Sequence, residues 1–255
     1  MNKILITISS WVGAATNGEN QAIRDTFLKN IHAFPGLEYR FFIGDGTPTG
    51  EDETALWASF GQSPEGYGIK AKEGLQLTRS IVYTPKDDEI ILPNTPDDYA
   101  HLGYKVRGQY RWALAHDFDF TFQIGSDCYV VLKRLMESGF ENYDYSGNSG
   151  YHSAAGGYYA GGGGYWLSKK ALQFIENQPL TFWAEDLWVG SIMNKNGITL
   201  HIDSRYAADY PNVPQHDNEI ITSHLGIHNG LFGKYDPKLM YKVHANYEDE
   251  NGIKY

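Results

Sequence analysis

The sequence predicts an α/β protein built on an open, largely parallel sheet, and three observations predict it. Residues 3–8 (Lys-Ile-Leu-Ile-Thr-Ile) read as a first strand, 19–33 place Ile23, Phe27 and Ile31 at helical spacing, and 39–43 read as a second strand. Strand, helix, strand is what two parallel neighbours joined by a crossover require. The run 118–124, dense in β-branched and aromatic residues, stops abruptly at Gly125-Ser126-Asp127. A buried strand that delivers one carboxylate at its C-terminal end is how such a sheet presents a ligand group to a crevice. Finally, 42% of the 255 residues are hydrophobic and 15% aromatic, so the chain can bury a substantial core and is not disordered.

Taken in order, strand 3–8 is followed by a polar turn at Ser9-Ser10 and a loop holding Gly13 and Gly18. The helix 19–33 leads to strand 39–43, closed by Gly44-Asp45-Gly46. Residues 47–86 show no clean period and several Gly and Pro, which predicts an excursion with one short helix. Strand 88–92 and the turn Pro93-Asn94-Thr95-Pro96 come next. Thr95 is placed to cap a helix starting at Pro96, with Leu102, Val106, Tyr110 and Ala113 on one stripe. After strand 118–124 and the Asp127 turn, a short helix is expected over 130–137. Strand 158–167 runs through four glycines, and Ser168 caps a helix holding Leu172 and Ile175. A helix near 182–195 ends at Gly197, strand 198–202 follows, and 203–230 reads as loop. No repeat or linker divides the chain, so one domain is expected over 1–255.

Charge and cysteine content exclude some roles. With 21 Lys+Arg against 31 Asp+Glu, the formal charge is −10, which disfavours a dedicated nucleic-acid binder. The single cysteine, Cys128, rules out an internal disulfide and fits a reducing compartment. The first apolar run is too short for a signal segment or a membrane span. The expectation is a soluble, cytoplasmic protein without a membrane anchor.

Four constellations carry chemistry. Asp127 alone reads most simply as a helix cap, because a hard divalent cation wants several oxygen ligands. A diphosphate and a histidine would supply what is missing. Gly161–Gly164 lie between Tyr158-Tyr159-Ala160 and Tyr165-Trp166-Leu167, and close approach of a ligand to the main chain would explain keeping them in a strand. Acids opening a helix, as Glu185-Asp186 do, commonly complement its dipole. Held against Trp183 and Trp188, however, a carboxylate would be partly desolvated, which suits a general base. His224 and His228 are four apart, but Gly226 and Asn229 argue against a helix there.

The order of these pieces resembles the β-1,3-galactosyltransferase and Fringe-like glycosyltransferases of the GT-A fold. Ala22-Ile23-Arg24-Asp25-Thr26-Phe27 is similar to that family's Ala-Ile-Arg-x-Thr-Trp motif, and Phe41-Phe42-Ile43-Gly44 to its second strand. Asp97–Lys105 is similar to its Asp-x-Tyr-x-Asn-Leu-Thr-x-Lys segment, and Gly161–Ser168 to Ser-Gly-Gly-Gly-Tyr-Val-Leu-Ser. Glu185-Asp186-Leu187-Trp188-Val189-Gly190 is similar to Glu-Asp-Val-x-x-Gly. The family's metal motif, Asp-Asp-Asp or Asp-x-Asp, here reads Gly125-Ser126-Asp127, with only the last acid present.

The resemblance implies a single domain with a GT-A-type, Rossmann-like open mixed sheet and helices on both faces. Its nucleotide-binding part would span about 1–130 and its acceptor-binding part about 131–255. It implies an inverting, metal-dependent hexosyltransferase using a nucleotide sugar, UDP-sugar foremost, and a glycan or other hydroxyl acceptor. Only the bare catalytic domain is matched, as in a bacterial or viral enzyme. Asp127 would bind Mn2+ or Mg2+, completed by His224 or His228. Ser9, Arg24, Lys105 and Ser126 would lie on the nucleotide side, with Gly162 and Gly163 along the donor sugar. Asp186 would be the base, with Glu185 orienting the acceptor or the two exchanged. Trp11, Tyr158, Tyr159, Trp166 and Trp183 are candidates for stacking on a sugar ring. Two rival readings remain: a phage-type transferase acting on a modified DNA base, with Arg107, Arg111, Lys133 and Arg134 lining a groove, and a non-catalytic carbohydrate-binding domain.

Overall fold

Period-two alternation along the first strand sets the architecture. In β1 (Ile4–Ser9), Ile4, Ile6 and Ile8 enter one apolar cluster and Leu5 enters another, the pattern of a central strand covered on both faces. The computed structural model describes residues 2–62, 82–207, 219–228, 231–232 and 236–251. β1 lies parallel to β2 (Leu37–Gly44) on one side and β4 (Phe120–Gly125) on the other, and β3 (Glu89–Leu92) extends the parallel run beyond β2. Past β4, β7 (Gly157–Ser168) runs antiparallel to it, β6 (Tyr145–His152) antiparallel to β7, and β8 (His201–Ile202) parallel to β6. The result is a seven-stranded mixed sheet in the order β3-β2-β1-β4-β7-β6-β8. Beside it, β5 (Cys128–Val130) and β9 (Tyr206–Ala207) flank β10 (Thr222–His224) in a small second sheet, and β11 (Ile227–His228) pairs with β12 (Leu231–Phe232).

Helices cover both faces of the main sheet. α4 (Leu102–Ala115), α6 (Lys169–Ile175) and α7 (Glu185–Lys195) bury Val106, Tyr110, Leu172, Ile175, Trp188 and Met193 against the Leu5 side. α2 (Glu19–Asp25), α5 (Leu132–Met136) and α8 (Lys238–Asn251) bury Ile23, Phe27, Leu135, Met240 and Val243 against the side of Ile6 and Phe122, Phe27 from the turn after α2. α1 (Val12–Asn17) fills the loop after β1, and α3 (Thr54–Ser59) is the short helix of the excursion. Residues 63–81 of that excursion lie outside the described residues. None of the described helices is long and apolar enough to cross a membrane.

Several elements depart from the sequence reading, each for a local reason. The helix expected over 19–33 ends at Asp25, because Thr26 turns its hydroxyl back to the Ala22 carbonyl at 2.6 Å and leaves helical dihedrals. The helix expected from Pro96 begins at Leu102. Thr95 does not cap it: its hydroxyl donates to the Pro93 carbonyl, while its N–H and that of Asn94 go to Asp45. The expected helix 130–137 is strand β5 followed by one short helix. β6 escaped notice because it holds no apolar run, reading Tyr-Ser-Gly-Asn-Ser-Gly-Tyr-His. The Ser168 cap is present, accepting the Ala171 N–H at 3.2 Å.

Asp97 ties three of these pieces together. It accepts the N–H of Val12 after β1 at 2.8 Å, the N–H of Gly44 at the end of β2 at 3.0 Å, and the Lys105 ammonium on α4 at 2.8 Å. Both charged side chains are under a tenth exposed. Removing one partner of a buried pair strands the other, at a cost of about 3–5 kcal/mol. Asp97→Ala is therefore expected to lower the unfolding free energy by about that much, read from urea titration with an unchanged m-value.

Candidate functional site

The site forms where β1 and β4 end side by side. Ser9 and Gly125 are register partners there, and the Ser126 N–H donates to the Ser9 carbonyl at 3.1 Å. The chain then turns sharply, so that Asp127 and Cys128 meet β10. Cys128 pairs directly with His224 across the antiparallel β5–β10 ladder, which puts their side chains on one face. His224 Nε2 lies 3.2 Å from Asp127 Oδ2. Ligand atoms of Asp127, Cys128 and His224 all fall within 4.8 Å of one another, the one such group among the described residues.

Neighbouring glycines are fitted to the Asp127 carboxylate. A Cβ on Gly125 would stand 2.5 Å from Oδ1, and one on Gly226 would stand 1.9 Å from Oδ2. The carboxylate thus lies against two glycines, where an added Cβ would force it to move. Burial alone would raise the Asp127 carboxyl, but the charge and hydrogen bond of His224 outweigh it and hold it below the ordinary value.

Glu19, which the sequence reading passed over, lies beneath this turn. It is buried, accepts the Ser126 hydroxyl at 2.8 Å and the Asn17 amide at 2.7 Å, and sits within the field of Asp127. Burial raises its carboxyl despite these donors. Ser126 is therefore turned onto Glu19, and a second carboxylate reaches the site from α2 rather than from position 125 or 126.

The glycine run of β7 connects Asp127 to the acid pair. A Cβ on Gly161 would stand 2.4 Å from Asp186 Oδ2, while the next residue's carbonyl, Gly162 O, lies 3.8 Å from Cys128 Sγ. Gly162 is exposed at positive φ and Gly163 is buried. Gly164 has a different duty: at φ +95° its Cβ would collide with Ile124 and the Gln123 carbonyl, so it lets β7 close on β4. Glu185 and Asp186 open α7, whose first-turn N–H groups favour negative charge. Asp186 Oδ1 takes the Leu187 N–H at 2.7 Å. Burial pushes both carboxyls up; the Asp186 charge pushes Glu185 further, and the Leu187 bond restrains Asp186. Burial and the neighbouring Asp127 charge raise the Cys128 thiol, with a smaller contribution from Glu185.

Other expected site residues are engaged inside the protein. Ser9 Oγ accepts from Gln109 at 2.8 Å and Gln123 at 2.7 Å. Arg24 grips Asp88 and Glu89, each at 2.7 Å, and stacks 4.6 Å over Phe41. Lys105 donates to the Ser10 carbonyl as well as to Asp97. Arg24 and Lys105 thus hold the loops around β1 in place. The side chain of His228 lies outside the described residues. Trp166 and Trp183 are core residues, whereas Trp11 is 43% and Tyr158 53% exposed and Tyr159 is half-buried beside Gly190.

The four cations of the DNA reading do not share a surface. Arg107 and Arg111 sit on α4, bonded to the carbonyls of Gln178 and Glu176. Lys133 and Arg134 sit on α5, across the sheet, engaged by Glu137 and the Ile220 carbonyl.

No protein-family model and no curated protein matches the chain. Among solved structures, it is similar to the inositol-1-phosphate CTP transferase from T. maritima, with 12% identity, TM-score 0.43, and 95% of this chain and 96% of that one covered. It is similar to an active-site mutant of LgtC at 14% identity and TM-score 0.42, covering 94% and 95%. It is also similar to A197 from STIV at 14% identity and TM-score 0.29, covering 59% and 75%. At such scores these likenesses say nothing about chemistry.

Proposed function

We propose that the chain is a metal-dependent, inverting glycosyltransferase of GT-A type, moving a hexose from a nucleotide sugar, UDP-sugar foremost, to an acceptor hydroxyl. The observation that carries this reading is the path of β7: consecutive glycines touch the acid pair at Gly161 and the Asp127 cluster at Gly162. A flat, side-chain-free wall between a cation-binding carboxylate and a desolvated base suits a sugar held between its leaving diphosphate and its acceptor.

In this reading residues up to about 130 hold the nucleotide and the remainder the acceptor, within one domain. Asp127 and His224 would hold the cation, and the oxygen–nitrogen donor set fits Mn2+ better than Mg2+, which favours oxygen ligands throughout. When bound, the cation neutralises charge developing on the departing diphosphate. Asp186 removes the acceptor proton as the hydroxyl attacks the anomeric carbon from the opposite face. Glu185, the more strongly raised of the pair, keeps its proton and orients the acceptor by donating a hydrogen bond. Gly162 and Gly163 line the donor, with the exposed Trp11 and Tyr158 available to stack on sugar rings.

A panel of UDP-sugars with and without Mn2+ tests this assignment. Metal-stimulated UDP release from one donor, and a melting-temperature rise with that donor and Mn2+ together, are the expected results. Silence across the panel, with binding of free glycans, would favour the carbohydrate-binding reading instead.

A further inference from the structure

Cys128 has no part in the mechanism above, yet it stands inside the cation site. It is 1% exposed, it is the cross-strand partner of His224, and its sulfur belongs to the same group of converging atoms as Asp127 and His224. These three donors differ in kind: one carboxylate oxygen, one imidazole nitrogen and one thiol sulfur. Manganese and magnesium gain little from sulfur, whereas zinc and cobalt bind carboxylate, imidazole and thiolate together. Three protein ligands with a fourth position left to water or substrate is the pattern of an open rather than a structural zinc site.

We infer that Asp127, Cys128 and His224 form a three-donor centre that holds a borderline divalent cation, zinc or its stand-in cobalt, without help from a nucleotide. On binding, the Cys128 thiol gives its proton to solvent and a sulfur–metal bond forms, with no change of oxidation state. Manganese, using only Asp127 and His224, would depend on diphosphate oxygens to complete its shell. The same pocket therefore takes zinc in preference to manganese, and zinc excludes the manganese–diphosphate arrangement. The site's geometry alone carries this inference, so it does not require the transferase reading.

Zinc K-edge X-ray absorption on the wild-type chain, loaded with one equivalent of zinc and no nucleotide, tests it directly. One sulfur scatterer at about 2.3 Å is expected, and a shell of nitrogen and oxygen alone would overturn the inference. In parallel, cobalt titration should give a near-ultraviolet sulfur-to-cobalt charge-transfer band. Cys128→Ser and Cys128→Ala, checked for folding by circular dichroism, should lose that band. They should also bind zinc more weakly than wild type by more than the roughly 10–100-fold typical of losing an outer-shell partner. Equal zinc affinity in folded variants and wild type would count against it. None of these readouts depends on turnover, so sulfur ligation in a chain that stays silent across the UDP-sugar panel would leave this inference standing while the transferase reading fails.

Discussion

Asp186→Asn is expected to cut kcat by about 10²–10⁴-fold while leaving donor and Mn2+ binding near wild type. Asn keeps the shape of the side chain, so Gly161 still packs against it and Asp186's acceptor bond to the Leu187 N–H is preserved through the amide oxygen. Only the proton-accepting capacity is lost. Single-turnover kinetics with the best donor, set beside its Kd from calorimetry, separates the two effects. A companion result is the pH profile. Burial raises the Asp186 carboxyl to about 6 in the free protein, so kcat/KM should climb with pH through that region, tenfold per unit below it, and then level off. The sign for stability is opposite. Because folding raises both carboxyl pKa values above their unfolded values, ionising the pair costs the folded state. Its contribution to stability is fully present below the unfolded carboxylate range and is lost as pH rises through the raised values. Unfolding midpoints for wild type and Glu185→Gln compared at mildly acidic and mildly alkaline pH should show that slope flattened in the variant.

The second large effect is expected at Asp127. Asp127→Asn keeps a polar group between Gly125 and Gly226 but removes the charge that pairs with His224 and would seat the cation. Mn2+-dependent thermal stabilisation by the donor should vanish, and kcat/KM should fall by about 10²–10³-fold, the scale of losing one preorganised group that stabilises transition-state charge. Stability itself should change little. The Asp127 side chain keeps its size in this variant and the amide still offers His224 a hydrogen-bond partner, so the protein should remain folded. Retained Mn2+ response in this variant would place the cation elsewhere.

Much of the parallel half of the sheet was legible because it is written in apolar periods. β1, β2, β3 and β4 and the stripe of α4 obey the simple rules that bury a strand on two faces or a helix on one. β6 was not legible, since a strand read as Tyr-Ser-Gly-Asn-Ser-Gly-Tyr-His carries no hydrophobic signal and exists through its ladder to β7. α8 went unseen because its buried residues, Met240, Val243 and Tyr247, are spaced among charged ones at the end of the chain.

At the site, the pairing of Asp127 with His224 could be anticipated only as a hope about two distant residues; what creates it is the β5–β10 ladder, a tertiary fact. Glu19 was hidden for the same reason. It comes from α2, 108 positions before Asp127, and reaches the turn through Ser126. Arg24 and Lys105 show long-range partners of another kind. Their residue type suggests phosphate, but Asp88, Glu89 and Asp97 claim them first, and no local sequence rule reveals such long-range partners.

One measurement bears most directly on the proposed function: anomalous diffraction at the manganese edge from crystals soaked with UDP and Mn2+. A single peak within coordination distance of both the Asp127 carboxylate and the His224 imidazole, with diphosphate density completing the shell, is the predicted result. A nucleotide bound with no manganese peak at that carboxylate would contradict it.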